Sequence, residues 1–380
     1  MTTIDGFTLP GFEKVAEAFQ HGFDEHGETG GAFAAYADGE LVADLWGGDA
    51  GAGRAWRSDT VSLVFSGTKG LVAAVLALLQ ERGTIDLNAP VARYWPEFGR
   101  EGKEDVTALQ LLTHQARLPH LPTQDVTALY DPAAADRLAE EQAPAWDPRA
   151  EYMYSSVNWG FPLDGLARRT DGRSLREIFA AEFAAPLGLD LWIGVPPEVP
   201  DERIADLRAE DASLIADVDA ASEPDPLRAL VGNPVTGSAG PGIWNSRPFR
   251  EAGFGSIGAI GTARSIARFY GALARGGEID GVRVLAESTV DAARREVRAG
   301  TEPMWGTPMV YGAGFELTAN FGPAADAFGH AGWAGTRHAA WPSLRTGFSY
   351  TTAALRDAPD HRAETVMAAL HTALSGRTVG

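Results

Sequence analysis

Residues 65–83 read FSGTKGLVAAVLALLQERG and hold the longest apolar run of the chain, Leu71–Leu79. The spacing predicts a helix over Ser66–Arg82, stopped by Gly83. The run is too short to cross a bilayer. Phe65 precedes it, and Leu71, Val72, Val75 and Leu76 follow its first turn, so the segment belongs in a core. Whatever fold forms must be built around this helix. Its polar start carries Ser66 and Lys69.

The surrounding pattern narrows the architecture. Phe12, Val15, Ala16, Phe19 and Phe23 can share a helical stripe after Pro10. GAFAAYAD and LVADLWGG read as two strands around a turn at Gly39-Glu40. Val106–Leu112, Ala133–Gln142, Val157–Arg169 and Leu175–Phe183 read as helices, and Glu223–Glu251 as a long irregular excursion. Thr262 is placed to cap a helix Ala263–Arg275, which Gly276-Gly277 ends. MVYGAGFEL, HAGWAGTRHAAWP and TGFSYTTAAL follow in strand fashion, and a helix Ala363–Leu374 closes the chain. There is no internal repeat. The order is strand pair, helix block, strand block and terminal helix, without the βαβ alternation of a doubly wound sheet. The expectation is an α/β (α+β) fold, an antiparallel sheet flanked by helices plus a helical lobe. Residues 1–85 and 255–380 would form the sheet lobe and 86–254 the mainly helical lobe, with the site between them.

Composition excludes several functions. With a net charge of −19, the chain lacks the basic face that a nucleic-acid or anionic-membrane partner requires. The absence of cysteine rules out disulfides, thiolate metal sites and Cys nucleophiles. His330 and His338 do not have the spacing of a metal pair, and no metal or cofactor is expected. MTTIDGFTLPGFEKVAEAF shows no basic region followed by an apolar one, so a cytoplasmic protein is expected. Oligomeric state is not legible.

The chemistry begins with a rare residue. Only three of the 32 basic residues are lysine: Lys14, Lys69 and Lys103. Lys14 and Lys103 sit in charged surroundings and read as surface residues. Lys69 does not. On a helix, Ser66 and Lys69 stand one turn apart on the same face. Serine is a weak nucleophile until a base takes its proton. A buried lysine at a helix N-terminus can be that base, because burial and the dipole both favour its neutral form. Arginine stays protonated. The plainer alternative is a Ser cap followed by a solvated lysine. A first-turn lysine opposes the dipole, however, and this one lies in an apolar segment.

Three further motifs stand in order. Tyr154 lies in YSSVN, His330-Ala331-Gly332 in GHAGWAGT, and GSIGAIGTARSIARFYGALARGG (255–277) precedes the latter. Together with Ser66-Gly67-Thr68-Lys69 and VARYWPEFGREGKEDVTALQLLTHQARLP (91–119), they resemble the serine β-lactamase and penicillin-binding-protein superfamily. Within it, the chain looks most like the β-lactamase-like carboxylesterases of family VIII, over nearly its whole length. The resemblance implies a β-lactamase/transpeptidase-like fold and an acyl-enzyme on Ser66. Lys69, alone or paired with Tyr154, would be the general base, and Tyr154 would pass a proton to the leaving oxygen. The backbone N–H groups of Ser66 and Trp333 would form the oxyanion hole. His330, Gly332, Ser156, Asn158 and Trp333 would line the substrate side, with His330 holding substrate or positioning Tyr154.

Departures accompany the likeness. Ser156 stands two residues after the tyrosine where penicillin-recognising enzymes commonly carry Asn, with Asn158 two further on. The third motif has His330 in place of Lys. Arg117 occupies a position where these esterases usually have Gly. There is no G-x-S-x-G elbow. The expected partner is a small-molecule ester. An intracellular amidase, a peptidase, a weak β-lactamase and an inactive scaffold of the same fold remain as alternatives. Substrate walls are expected from the helical insertion, the 223–251 excursion and the loop at Met304–Met309, with Phe254, Trp244 and Trp305 as candidates.

Overall fold

The computed structural model describes residues 2–120, 123, 125–210, 240–303, 306–317, 319–356 and 360–377. Residues 223–239 of the excursion, Met304 and Trp305 therefore lie outside the described residues.

In chain order, the elements that position the site begin with β1 (Ile4–Thr8), α1 (Glu13–Glu25), β2 (Gly30–Ala37), β3 (Glu40–Gly48), β4 (Ser62–Leu63) and α2 (Thr68–Glu81). Next come α3 (Ala108–Leu112), α4 (Pro132–Glu141), α5 (Gly160–Thr170) and β5 (Leu191–Ile193). After them follow β6 (Ala259–Gly261), α6 (Ala263–Ala274), β7 (Arg298–Glu302), β8 (Thr307–Tyr311), β9 (Phe328–Ala331), β10 (Arg337–Trp341), β11 (Thr346–Thr352) and α7 (Arg362–Arg377).

The main sheet has six strands in the order β1-β3-β2-β11-β10-β9, all antiparallel. Both chain ends feed it, as the pattern predicts. Only β1 carries no sequence signal: IDGFT is a largely exposed edge strand. The β2–β3 turn is made by Asp38 and Gly39, both at positive φ.

Every residue of β2 is buried, because both faces of the sheet are covered. Phe33 and Ala35 face the α1 and α7 side with Phe12, Val15, Phe19, Trp341 and Leu370. Ala32, Ala34 and Tyr36 face α6 and α2 with Leu76, Phe269 and Tyr270. The helix α6 lies against the backbone of β11. A Cβ on Gly347 would stand 2.0 Å from Gly271 N, so only glycine allows that approach. Thr262 caps α6, its hydroxyl accepting from Ser265 N.

The helix α2 is buried from Thr68 through Leu79. Each Leu or Val it buries contributes about 1.5–3 kcal/mol relative to exposure. Its core is shared with the intervening chain: Leu76, Leu163, Phe179 and Phe269 belong to one cluster. Among the described residues, the region 86–254 holds α3, α4 and α5 but also supplies β5, which pairs with β6 beside β4.

One surface assignment is corrected. Lys14 is exposed, but Lys103 is buried. Its Nζ donates to Glu140 O in the last turn of α4 and to Gln142 O just past it, and lies over the Phe98 ring. The three-donor ammonium satisfies carbonyls that a helix end leaves open. Burial lowers the Lys103 pKa to about 8.

Candidate active site

Ser66 sits in a strained turn. Phe65, immediately before Ser66, has φ +45, a region that a bulky residue occupies only when its surroundings impose it. Thr68 supplies part of that constraint. Its hydroxyl donates to Phe65 O at 2.6 Å and accepts from Ala259 N at 2.8 Å, tying the turn to β6. The helix proper begins at Thr68, two residues after Ser66.

Lys69 is fully buried. Its Nζ has three neighbours: Ser66 Oγ at 3.1 Å, Ser156 O at 2.8 Å and Ser256 O at 3.2 Å. Carbonyls only accept. Between them they can take two N–H bonds, so an amine held there, when neutral, would turn its lone pair to the Ser66 hydroxyl. Burial holds the Lys69 pKa well below its ordinary value, partly opposed by the Glu316 carboxylate. Ser256 is itself fixed, its hydroxyl donating to Val157 O at 2.6 Å.

Tyr154 Oη lies 2.8 Å from Ser66 Oγ, and Lys69 Nζ sits 4.9 Å from the centre of its ring. Burial pushes the phenol far above its ordinary range, so it stays a proton donor. Ser66 and Tyr154 are each 8% exposed, enough to be reached from one side. The structure thus brings together the three residues that the sequence singles out from positions far apart.

The other expected site residues divide. Among the described residues, neither the Ser66 nor the Trp333 backbone N–H has an acceptor. Gly332 packs on Val64, where a Cβ would stand 2.3 Å from Val64 O, which brings the end of β9 beside the nucleophile turn. The Trp333 ring meets Phe65 at 5.4 Å and Trp244 at 5.1 Å. Trp244 and Phe254 are buried in the same cluster as Phe65, so they support the site from behind.

Two roles are corrected. Ser156, half-buried, also presents its backbone carbonyl to Lys69. Asn158 is buried, its amide donating to Leu118 O at 3.2 Å and Gln142 Oε1 at 2.9 Å, so it holds the 116–118 loop and does not face substrate. His330 is buried with Nδ1 on Ala331 O at 2.8 Å, which removes it from a substrate-holding role. Its ring centre is 6.3 Å from that of Tyr154.

Arg117 has φ +58, the left-handed region where glycine is free of strain. That accounts for the glycine usual in related esterases. Here Arg117 pairs with Glu151.

Sequence reasoning did not assign Thr68, Ser256, His114 or Glu316. The first three lie inside the quoted motifs. Glu316 carries no local signal, yet it is buried beside the site, accepting from Asn320 Nδ2 at 2.6 Å and Ala331 N at 3.2 Å.

The fold, with Ser66, Lys69 and Tyr154 converging at one turn, has the form of the β-lactamase/transpeptidase-like superfamily. Comparison agrees: residues 15–373 match the beta-lactamase family, and the chain belongs to it. It is 33% identical over 363 residues to the Esterase/beta-lactamase LipL of Mycobacterium tuberculosis, covering 91% of this chain and 82% of that protein. It is 29% identical to Esterase EstB of Burkholderia gladioli, covering 68% of each. Among solved structures, a family VIII carboxylesterase superposes with a TM-score of 0.89 at 34% identity, covering 98% of this chain and 100% of that one. No described helix is long and apolar enough to cross a membrane.

Proposed function

We propose that this chain hydrolyses carboxylic esters through an acyl-enzyme on Ser66. Ester hydrolysis as the reaction class is supported by the two esterase relatives and the carboxylesterase structure. The observation that carries the mechanism is Lys69 Nζ, buried between the Ser156 and Ser256 carbonyls and 3.1 Å from Ser66 Oγ.

As Ser66 Oγ attacks the ester carbonyl, its proton passes to Lys69. The oxyanion forms against the Ser66 and Trp333 N–H groups. When the tetrahedral species collapses, the C–O bond to the alcohol breaks. The leaving oxygen takes a proton from Tyr154 Oη, which is made good from the Lys69 ammonium. A water then attacks the acyl carbon, its proton moving to the Tyr154–Lys69 pair, and Ser66 leaves with a proton returned. The partner is a small ester, with no nucleic acid or membrane in the reaction. The cytoplasm as the place of action is part of the proposal, and recovery in a periplasmic fraction would refute that part.

The test compares wild type with Ser66→Ala on p-nitrophenyl esters of increasing acyl length and on a chromogenic cephalosporin. Ester turnover that disappears in the variant supports the reading. Turnover that survives refutes it. Lactam opening with slow esters would favour the β-lactamase alternative that one relative's name carries.

A further inference from the structure

Two buried histidines flank the Tyr154 phenol and have no part in the proton transfers above. The His114 ring centre lies 4.5 Å from that of Tyr154, tilted by 39°, and the His330 ring lies 6.3 Å away. Tyr311 closes the box, 4.9 Å from His114 and 6.3 Å from His330. The phenol that meets Ser66 is therefore walled by aromatic faces.

Hydrogen bonds assign the tautomers. The Ser155 backbone N–H donates to His114 Nδ1 at 3.0 Å, so the proton of His114 is on Nε2. His330 Nδ1 faces Ala331 O at 2.8 Å, so its proton is on Nδ1. In both rings Nε2 is buried, with no partner among the described residues. The His114 backbone has φ +59, a strained conformation for a residue other than glycine. The ring is thus held by a bond to the residue next to Tyr154, from a backbone position maintained against its preference.

We propose that His114 is a positioning residue for Tyr154: its ring, locked in one neutral tautomer by the Ser155 N–H, sets the tilt that keeps Tyr154 Oη on Ser66 Oγ. The inference rests on the acyl-enzyme reading of Ser66. The oxygen is at the far end of the side chain, where a change of ring tilt moves it most. A misplacement of ~1 Å in a reacting group can cost ~10²-fold. Neutrality matters as well. A protonated His114 would lose the Ser155 bond and place a cation near Lys69, opposing the ammonium that forms there during the reaction. Burial, Lys69 and His330 all oppose that protonation. The charged and titratable groups around the box are Lys69 on α2, Tyr154, Tyr311 on β8, His330 on β9, Glu316, which is 3.9 Å from His330 Nδ1, and Glu302 on β7, which meets Tyr154 N at 3.4 Å.

The experiment is His114→Asn, assayed beside Ser66→Ala. Asparagine keeps an acceptor for the Ser155 N–H and tolerates positive φ, but it has no ring. The expected result is a folded enzyme with kcat reduced about 10- to 100-fold and KM within about threefold. The alkaline limb of the kcat profile should move to lower pH, because water reaching the Tyr154 phenol eases its ionisation. A folded variant with wild-type kcat and pH profile overturns the proposal. Ser66→Ala separates the two levels: if it retains turnover, the nucleophile reading itself fails, whatever the asparagine variant does. If His114→Asn does not fold, nitrogen-15 shifts of the wild-type histidines decide. A proton on Nε2 of His114 at neutral pH is expected, and a proton on Nδ1 or an imidazolium overturns the proposal.

Discussion

A lysine that is neutral in the folded protein leaves a thermodynamic signature independent of catalysis. The perturbation is Lys69→Met, which keeps an unbranched side chain and removes the titrating group. In the unfolded chain Lys69 holds its proton up to its ordinary value of 10.5, whereas in the folded protein burial depresses the pKa well below that. Between those two values the unfolded state binds one more proton than the native state, so native stability rises with pH. The contribution of the group is present in full above the unfolded value and is lost as pH falls toward the folded one. The slope is about 1.4 kcal/mol per pH unit. With an unfolding entropy of roughly 2.1 cal/mol/K per residue, 380 residues give about 0.8 kcal/mol/K. Wild-type Tm should therefore climb relative to Lys69→Met by about 1.7 °C per pH unit. The carbonyls of Ser156 and Ser256, left without a donor in the variant, add an offset that does not change with pH. Tryptophan-fluorescence melts at half-unit steps from pH 7.5 to 9.5 measure the difference. It should open toward alkaline pH, by up to about 3–4 °C across the range if the folded pKa lies below it. Parallel curves would mean that Lys69 is an ammonium in the folded enzyme, and the general-base argument would fall.

The remaining predictions address the catalytic oxygen and the scaffold. Tyr154→Phe should lower kcat on esters by roughly 10²–10⁴-fold while leaving the fold intact; a loss of less than tenfold in steady-state kinetics would contradict its role as proton donor. Glu28→Gln should destabilise the protein by about 3–5 kcal/mol in denaturant titration. The buried Glu28 carboxylate accepts from Gly30 N, Thr352 Oγ1, Tyr350 Oη and Arg362 Nη1, and a neutral amide would turn its own donors on them. At residue 117, glycine should be more stable than alanine by about 1 kcal/mol, because only glycine escapes the left-handed strain. The lost pairing with Glu151, which is 65% exposed, is common to both variants and small. Equal melting temperatures for Arg117→Gly and Arg117→Ala would refute that reading of φ +58.

Much of the site was legible because its chemistry is written locally. Ser66 and Lys69 lie one helical turn apart, and a scarce lysine in an apolar segment is a signal in itself. Tyr154 and the Gly332-Trp333 turn were legible through short motifs in a fixed order. Roles that depend on which way a side chain points were not. Asn158 and His330 read as substrate-facing, but the backbone turns them inward onto Leu118, Gln142 and Ala331. Lys103 reads as a surface charge, but the end of α4 draws it inside. Glu316 has no motif at all; it matters because β9 brings it within reach of His330.

What the sequence determined alone is the set of periodicities and the reactive pair: a buried helix, strands at both ends, and a serine with a lysine one turn below it. These follow from interactions within a few residues, where helix and strand geometry dictates the neighbour. The tertiary structure decided the burial and the partners. Ser156, Ser256 and Tyr154 reach Lys69 across 87, 187 and 85 positions of chain, and only their convergence buries the amine and lowers its pKa. Desolvation is a property of the whole packed environment, so no local stretch can encode it.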